Sequence, residues 1–147
     1  MKRITTFPIH PEIRDLLSFA TSKDRIDLEY EKYILSPKRE LYGLDLKGEM
    51  VGCIGLELSS SHSCEIKHIA VTPKVRGNNI GRQMINFVCD KYSLSSIKAE
   101  TDNEAVKFYE KNGFNITSLG EKYPGVERFL CEFSIQTTWK PKRWIDK

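Results

Sequence analysis

Residues Glu65–Arg82 read EIKHIAVTPKVRGNNIGR and contain the signals of a strand, a loop and a helix start in immediate succession. The β-branched residues come first and end at Thr72-Pro73, a pattern that predicts a strand followed by a turn. A basic loop rich in Gly and Asn follows, and from Ile80 onward apolar residues recur at helical spacing. Such a succession turns free backbone N–H groups and the positive end of a helix toward one point. The sequence therefore predicts an anion site at residues 76–82.

The residue types in this loop suit a phosphate group. Gly77 and Gly81 keep side chains away from a bound anion, and asparagine is the next residue most tolerant of left-handed backbone. Arg76 and Arg82 add positive charge for phosphate oxygens. The sequence contains neither G-x-G-x-x-G nor G-K-[ST], so a dinucleotide fold and a P-loop are not supported.

The loop resembles the acetyl-CoA pyrophosphate-binding motif of the GNAT family of N-acetyltransferases, written [Q/R]-x-x-G-x-[G/A]. Arg76 opens the motif and Gly81 closes it. Asn79 departs from the pattern, because it stands where the family usually has glycine. If its position needs a positive φ, the cost over glycine is on the order of 1 kcal/mol.

A second stretch, residues 100–114, resembles the motif that follows the first one in the same family. The matching residues are Asn103, Ala105, Phe108, Tyr109, Lys111, Gly113 and Phe114. Two motifs in the right order, with strand signals between them, are much more specific than either motif alone. The resemblance covers nearly the whole chain, from Lys2 to about Phe133.

The resemblance implies an α/β (α+β) fold in a single GNAT-like domain at residues 1–134. The expected centre is a mixed, mostly antiparallel, twisted sheet of six to seven strands flanked by about four helices. Residues 135–147 form a basic tail that contains Trp139 and Trp144, and it is expected to pack on the domain or on a partner. A homodimer is one such possibility.

Periodicity and turn residues predict the remaining elements. Pro11 suits the first turn of a helix, and a second helix is predicted from Asp24 to Leu35, before Ser36-Pro37. The other predicted elements are an edge strand Lys2–Phe7, a hairpin of Leu41–Leu46 and Glu49–Leu58, a loop Ser59–Ser63, a strand Ile97–Thr101, and closing strands Phe114–Leu119 and Arg128–Phe133 around a Gly120–Glu127 loop.

Composition narrows the function classes. The 147 residues carry 23 Lys and Arg against 20 Asp and Glu, a mild excess that does not imply nucleic acid. No apolar run is long enough to span a membrane and no signal-peptide core is present, so a cytoplasmic location is expected by default. The 4 cysteines are far apart and are predicted to be reduced. His62, Cys64 and His68 lack a standard zinc spacing, so no metal is predicted.

The resemblance implies that the chain moves an acetyl group from acetyl-CoA to a primary amine by direct attack in a ternary complex. Backbone groups of the central strand would hold the thioester and pantetheine, and the amides of the loop would hold the pyrophosphate. The residues expected to bind the cofactor are Ile69, Ala70, Val71, Arg76, Gly77, Asn78, Asn79, Ile80, Gly81, Arg82, Asn103 and Phe108. Asn103 is equally well explained as a helix cap.

Two residues are expected to move protons. Tyr109 takes the family's general-acid position, and a phenol with a pKa near 10 stays protonated at neutral pH. Glu65 is the first choice for the base, with His68 and Glu57 behind it. Strict strand alternation places Glu65 on the face opposite His68, although a bulge would upset that count.

The sequence is also compatible with two other functions. The main alternative is a CoA-binding sensor or regulatory module of the same fold without turnover, and a small nucleic-acid-binding regulator is a distant third. The acceptor amine is not readable, because a polyamine, an amino acid, an aminoglycoside and a protein amine are all compatible. A small-molecule or peptide amine is therefore the expected partner, with neither nucleic acid nor membrane.

Overall fold

The computed structural model describes residues 1–135, and a β-sheet runs through their centre. The strands are β1 Lys2–Arg3, β2 Arg39–Leu46, β3 Glu49–Ser60, β4 Ser63–Val71, β5 Ser96–Thr101, β6 Asn115–Tyr123 and β7 Val126–Ser134. They form one 7-stranded sheet in the order β1-β2-β3-β4-β5-β7-β6. Only β4 and β5 pair in parallel, and the other neighbours in the described sheet are antiparallel. This architecture confirms the predicted fold class.

The helices are α1 Pro11–Leu17, α2 Ile26–Leu35, α3 Ile80–Lys91 and α4 Val106–Lys111. Helix α1 begins at a proline, as predicted, and the His10 side chain caps it by accepting a hydrogen bond from the Glu12 N–H at 3.1 Å. The predicted second helix is correct from Ile26 onward, but Lys23–Arg25 forms a 3₁₀ turn instead. Helix α2 ends at Leu35, and its C-cap Ser36 has extended backbone directly before Pro37.

The helices lie on both faces of the sheet. Helices α1 and α2 pack on β2, β3 and β4 from one side. Helices α3 and α4 pack from the other side, over the larger core. That core includes Ile54, Leu56, Ile66, Met84, Val88, Ala99, Tyr109 and Cys131.

The surface of β5–β7 on the side of α1 and α2 is called here the open face. Alternate residues of β5, such as Ile97 and Ala99, point into the larger core, so Lys98 and Glu100 point the other way. Glu100 contacts Lys122 and Arg128 on this side. The open face therefore carries Lys98, Glu100, Lys122 and Arg128, together with Leu130 and Glu132, which lie opposite Glu100 and Lys98 on β7.

Two irregularities lie at the centre of the sheet: a β-bulge in β4, and the point where β4 and β5 stop pairing and diverge, which is called here the parting. Gly55 pairs with His68 and Leu56 pairs with Ile66, so Lys67 is an extra residue in β4. The parallel pairing of β4 and β5 ends at Ile66 and Ala99, although both strands continue beyond it. The two strands therefore diverge immediately after the bulge.

The bulge changes which side chains share a face. Glu65 pairs with Glu57 and His68 pairs with Gly55, and these two β3 residues are two positions apart. Glu65 and His68 consequently lie on the same face. The prediction from strict alternation, which placed them on opposite faces, is wrong because the extra residue Lys67 shifts the phase of the strand.

Several predicted loops are shorter in the structure. The loop predicted at Ser59–Ser63 is a tight turn, since β3 runs to Ser60 and β4 starts at Ser63. Most of the loop predicted at Gly120–Glu127 is strand, with the turn at Pro124-Gly125. The predicted edge strand Lys2–Phe7 is only Lys2–Arg3. Residues 136–147, which include most of the predicted tail, lie outside the described residues.

Gly55 gives a stability prediction. A Cβ at this position would clash with the Tyr33 hydroxyl and ring, whereas a Cβ at Gly52 would meet the flexible end of Met84 at 3.1 Å and the Ala70 carbonyl oxygen at 3.3 Å. We expect Gly55→Ala to lower the free energy of unfolding by roughly 1–3 kcal/mol, because the added methyl group would overpack the site. Gly52→Ala is the matched control, and its loss should be smaller. Equal urea midpoints for the two variants would contradict this account.

Candidate active site

A cavity of about 370 Å³ lies between β4, the loop that follows it, α3 and α4. It brings together most of the residues expected to form the site. Those that line it are Ile69, Ala70, Val71, Arg76, Gly77, Asn79, Ile80, Gly81, Arg82, Phe108 and Tyr109. Asn78, Asn103 and Glu65 do not line it, while Phe19 and Asn112 do and were not predicted.

The backbone of the loop is arranged to bind an anion. Among the described residues, none of the consecutive N–H groups from Gly77 to Arg82 donates a hydrogen bond, and no side chain caps α3. The first N–H of the helix with a partner is that of Gln83, which donates to the Asn79 carbonyl at 3.0 Å. Unpaired N–H groups at a helix start are the usual donors to a phosphate.

Two residues of the loop have left-handed backbone. Gly77 has a φ of 89°, and Asn79 has a φ of 60° and a ψ of 25°. Glycine adopts this conformation freely and asparagine adopts it at modest cost. Asn79 therefore occupies a position with a positive φ, which glycine would adopt at lower cost.

Arg76 is held at the mouth of the cavity by two contacts. Its Nε donates to the Val71 carbonyl at 2.9 Å, and its guanidinium lies 5.2 Å from the centroid of the Phe19 ring. Its two terminal nitrogens have no hydrogen-bond partner within residues 1–135, so they can bind phosphate oxygens. No local pattern marks Phe19, because it reaches the site from the segment after α1.

Gly81 allows α3 to approach α4. A Cβ at this position would lie 2.6 Å from Cε1 of Phe108, closer than packed carbon atoms approach. The glycine that closes the motif is therefore required by the contact between the two helices as well as by the cavity.

Tyr109 is buried, with 4% of its surface exposed, and it lines the cavity. Its ring packs against Phe108 and Phe114 at centroid distances of 5.1 and 5.2 Å. Its hydroxyl makes no hydrogen bond to any described residue. Burial raises the pKa of Tyr109, so the phenol is protonated at neutral pH and can donate a proton into the cavity.

The segment before α4 is fixed by Asp102 and not by Asn103. The Asp102 carboxylate accepts hydrogen bonds from the N–H groups of Glu104 and Ala105, both at 3.0 Å. Asn112, at the end of α4, donates to the Phe108 carbonyl at 2.8 Å and also lines the cavity.

The candidate bases lie on the opposite side of the sheet from Tyr109, beside the bulge. Glu65 is partly exposed, at 28% of its side chain, and its carboxylate is 3.4 Å from the Lys67 ammonium. Glu57 forms an ion pair with Arg39 at 2.8 Å. Glu65 is the nearer of the two to the parting of β4 and β5, because it precedes Ile66, the last paired residue of β4.

His68 is buried in a polar network. Its Nδ1 is 2.5 Å from the Tyr33 hydroxyl, and its Nε2 is 3.7 Å from the Glu29 carboxylate. Burial lowers the pKa of His68 to about 4, so the imidazole is neutral at pH 7. Both ring nitrogens face protein groups, so His68 is a poorer direct acceptor of a substrate proton than Glu65.

Glu29 is the charged member of this network. Burial by itself would raise the pKa of Glu29, but hydrogen bonds from Lys32 and Arg25 outweigh it and hold the pKa below its ordinary value. Those bonds measure 3.2 and 3.1 Å, and Arg39 lies 3.5 Å away. The carboxylate is therefore ionised and fully occupied by partners of the chain.

The network predicts how stability depends on pH. His68 is protonated near pH 6.5 in the unfolded chain and near pH 4 in the folded chain. Its contribution to the free energy of unfolding is therefore fully present above pH 6.5 and is lost as pH falls toward 4. We expect a loss of about 2 kcal/mol between pH 7 and pH 5 in urea unfolding. His68→Gln should remove most of this loss, and His62→Gln, which changes an exposed histidine, should retain it. An unchanged pH dependence in His68→Gln would contradict the assignment.

In the described part of the chain, no group of three or more His, Cys, Asp or Glu side chains is placed to hold a metal ion. Among the same residues, no helix is long and apolar enough to cross a membrane.

Solved structures share the fold. An aminoglycoside 6′-N-acetyltransferase complexed with coenzyme A superposes with a TM-score of 0.74 at 18% identity, over 93% of this chain and 98% of that one. A GNAT family acetyltransferase from Elizabethkingia anophelis with acetyl-CoA bound has a TM-score of 0.68 at 25% identity, over 90% and 95%. A Bacillus subtilis acetyltransferase in complex with CoA has a TM-score of 0.67 at 20% identity, over 92% and 99%.

The sequence itself matches one family. No curated protein matches the chain. The acetyltransferase (GNAT) domain family matches residues 37–116, which are more than half of the chain and include both motifs described above. The chain therefore belongs to the GNAT acetyltransferase family.

Proposed function

We propose that this protein transfers the acetyl group of acetyl-CoA to a primary amine in a ternary complex. The observation that carries the proposal is the row of unpaired N–H groups from Gly77 to Arg82 beside a cavity that also contains the Tyr109 phenol. A phosphate site and a proton donor in one cavity are what transfer from a CoA thioester requires.

The residues present fit the cofactor. The loop amides and the free nitrogens of Arg76 would hold the pyrophosphate, and Arg82, which also lines the cavity, would add positive charge. The backbone of Ile69–Val71 would hold the extended pantetheine arm by strand-like hydrogen bonds, because β4 has no β5 partner there. Asn78 would act only through its backbone, since its side chain donates to the Val75 carbonyl at 2.9 Å. The role of Asn103 stays a prediction.

Acetyl-CoA, when bound, supplies an activated acetyl thioester. Glu65 would accept the proton that the amine loses, directly or through water, from its place beside the parting of β4 and β5. Tyr109 would donate a proton to the departing thiolate from inside the cavity. Glu65 and Tyr109 lie on opposite sides of the sheet. The gap where β4 and β5 diverge would connect these two sides, so that both residues could act on one bound substrate.

A thermal-unfolding scan with acetyl-CoA, coenzyme A, NAD and ATP tests the proposed site. A ligand at a hundred times its Kd adds about 2.7 kcal/mol, or roughly 5–10 °C for a domain of this size. We expect this shift with acetyl-CoA and coenzyme A, and no comparable shift with NAD or ATP. A protein that responds to neither CoA species would refute the proposal.

Release of the CoA thiol in the presence of amines then separates an enzyme from a sensor. An enzyme releases thiol at a rate that depends on the amine and falls when Tyr109 is replaced. A sensor shows the thermal shift and no release with any amine.

A further inference from the structure

The amine must approach the parting of the strands from the open face. On the other face, α3 and α4 line most of the cavity that would hold the cofactor, which Phe19 and Ala70 also line from the side of α1. On the open face, α1 and α2 pack only as far as β4 among the main contacts between described elements. Groups on the open face that lie next to the parting are therefore placed to contact the acceptor.

The carboxylates near this point already have cationic partners within the chain. Glu57 pairs with Arg39 at 2.8 Å, and Glu65 pairs with Lys67 at 3.4 Å. Glu29, deeper in the structure, has several cationic partners of its own. An acceptor with many positive charges would have to displace these pairs to gain ion pairs of its own. The arrangement therefore disfavours polycationic amines.

The open face instead holds two cations that share one carboxylate. Glu100 is the first β5 residue beyond the pairing with β4, so it is next to the parting. Its oxygens contact the Lys122 ammonium at 3.1 and 3.2 Å and the Arg128 Nε at 3.3 Å. One carboxylate cannot neutralise both cations, so the cluster carries an excess positive charge.

Arg128 is the member of the cluster best suited to bind an anion. Its side chain is 27% exposed, and only its Nε is hydrogen-bonded among residues 1–135, which leaves the two terminal nitrogens available. A guanidinium with two free nitrogens can bind a carboxylate through parallel hydrogen bonds. Lys98 on the same face forms no ion pair with a described residue, although Glu132 lies opposite it on β7.

We propose that the acceptor is a primary amine that also carries a carboxylate, as an amino acid does, and that Arg128 and Lys122 bind this carboxylate. Glu100 positions the two cations beside the parting where the amine reacts. The inference rests on the proposed function, because the acceptor site is that of the same acetyl transfer. It separates this chain from the aminoglycoside acetyltransferase that shares its fold, since an aminoglycoside carries several amines.

The test compares matched acceptors on the full chain with acetyl-CoA, with CoA thiol release as the readout. Each proteinogenic amino acid is paired with its amide, which keeps the amine and lacks the carboxylate. Spermidine and kanamycin represent polycations. Short peptides that begin with aspartate or glutamate present a side-chain carboxylate next to the amine. Comparing them with free amino acids shows whether the site binds a peptide carboxylate or the α-carboxylate of a free amino acid. We expect kcat/KM for at least one carboxylate-bearing amine to exceed that of its amide by tenfold or more, on the order of one charge-assisted hydrogen bond.

Variants assign the effect to residues. Arg128→Gln is expected to lower kcat/KM for that acceptor by roughly 10- to 100-fold, mainly through KM, and to leave its amide unaffected. Arg128→Lys should restore part of the loss, and Lys122→Met should produce a smaller loss. Arg3→Gln is the matched control, because Arg3 also pairs with a single glutamate, at 2.8 Å, on the far edge of the sheet. Each variant must keep the thermal shift with acetyl-CoA, which shows that it folds and binds the cofactor.

Three results would overturn the inference while leaving the proposed function intact. One is an amide or a polycation that reacts as well as every carboxylate-bearing amine, and another is an unchanged KM in Arg128→Gln. The third is a protein that shifts with acetyl-CoA and acetylates no carboxylate-bearing amine of the panel. Absence of the thermal shift itself would be a different failure, because it would refute the cofactor site.

Discussion

Replacing Tyr109 with phenylalanine is expected to lower turnover by roughly 10²- to 10⁴-fold, the usual contribution of a positioned general acid. The affinity for acetyl-CoA should stay nearly the same. The Tyr109 hydroxyl has no hydrogen-bond partner within the described chain, so its removal leaves no other group unpaired. The ring contacts with Phe108 and Phe114 are kept, and the fold should therefore be retained.

The measurement is steady-state thiol release together with calorimetric titration of acetyl-CoA. Tyr123→Phe is the matched control, because Tyr123 is 66% exposed near the β6–β7 turn and away from the cavity. Since burial raises the pKa of Tyr109, the wild-type acid should remain protonated throughout the neutral range. Unchanged turnover in Tyr109→Phe would remove Tyr109 from the chemistry.

Gly81→Glu is expected to abolish acetyl-CoA binding, with a loss in affinity of at least about 100-fold. Two effects add: the new Cβ would be 2.6 Å from the Phe108 ring, and the carboxylate would lie among the N–H groups that are proposed to bind phosphate. A buried like charge opposite an anion costs several kcal/mol, far more than an exposed one.

Two further variants separate these effects. Gly81→Ala keeps the steric clash and adds no charge, so it should weaken binding to an intermediate degree. Gln83→Glu adds a carboxylate to the same first turn of α3 at an exposed residue that does not line the cavity, so its effect should be small and should fade with salt. Normal affinity in Gly81→Glu would show that the loop does not bind the pyrophosphate.

The conformation of the loop at residues 76–82 could be predicted from sequence because it is local. The loop from Arg76 to Arg82 contributes its own N–H groups, its own charges and the left-handed residues that shape it. These residues are adjacent in sequence, so the loop brings them together, and distant residues such as Phe19 and Phe108 only pack against it. The catalytic and binding roles assigned to them remain predictions that the experiments above test.

The features that escaped prediction depend on distant pairing. The faces of Glu65 and His68 follow from the extra residue Lys67, which shows only in the register of β4 against β3. Phe19 and Asn112 reach the cavity from separate elements, so no spacing in the sequence marks them. Strand β6 is longer than its polar sequence predicts, because its backbone pairing with β7 compensates for the weak strand propensity of its residues.

Because the pairing between β4 and β5 ends early, the central strand β4 has an unpaired edge inside the sheet. Residues 67–71 have no strand partner on the β5 side within the described chain, and such an edge is a template for adding an extended segment. A pantetheine arm bound there would hydrogen-bond to β4 in the place of a neighbouring strand. Its arrival should slow amide hydrogen exchange along β4, and the folded fraction of this protein in a cell would then rise and fall with the supply of CoA.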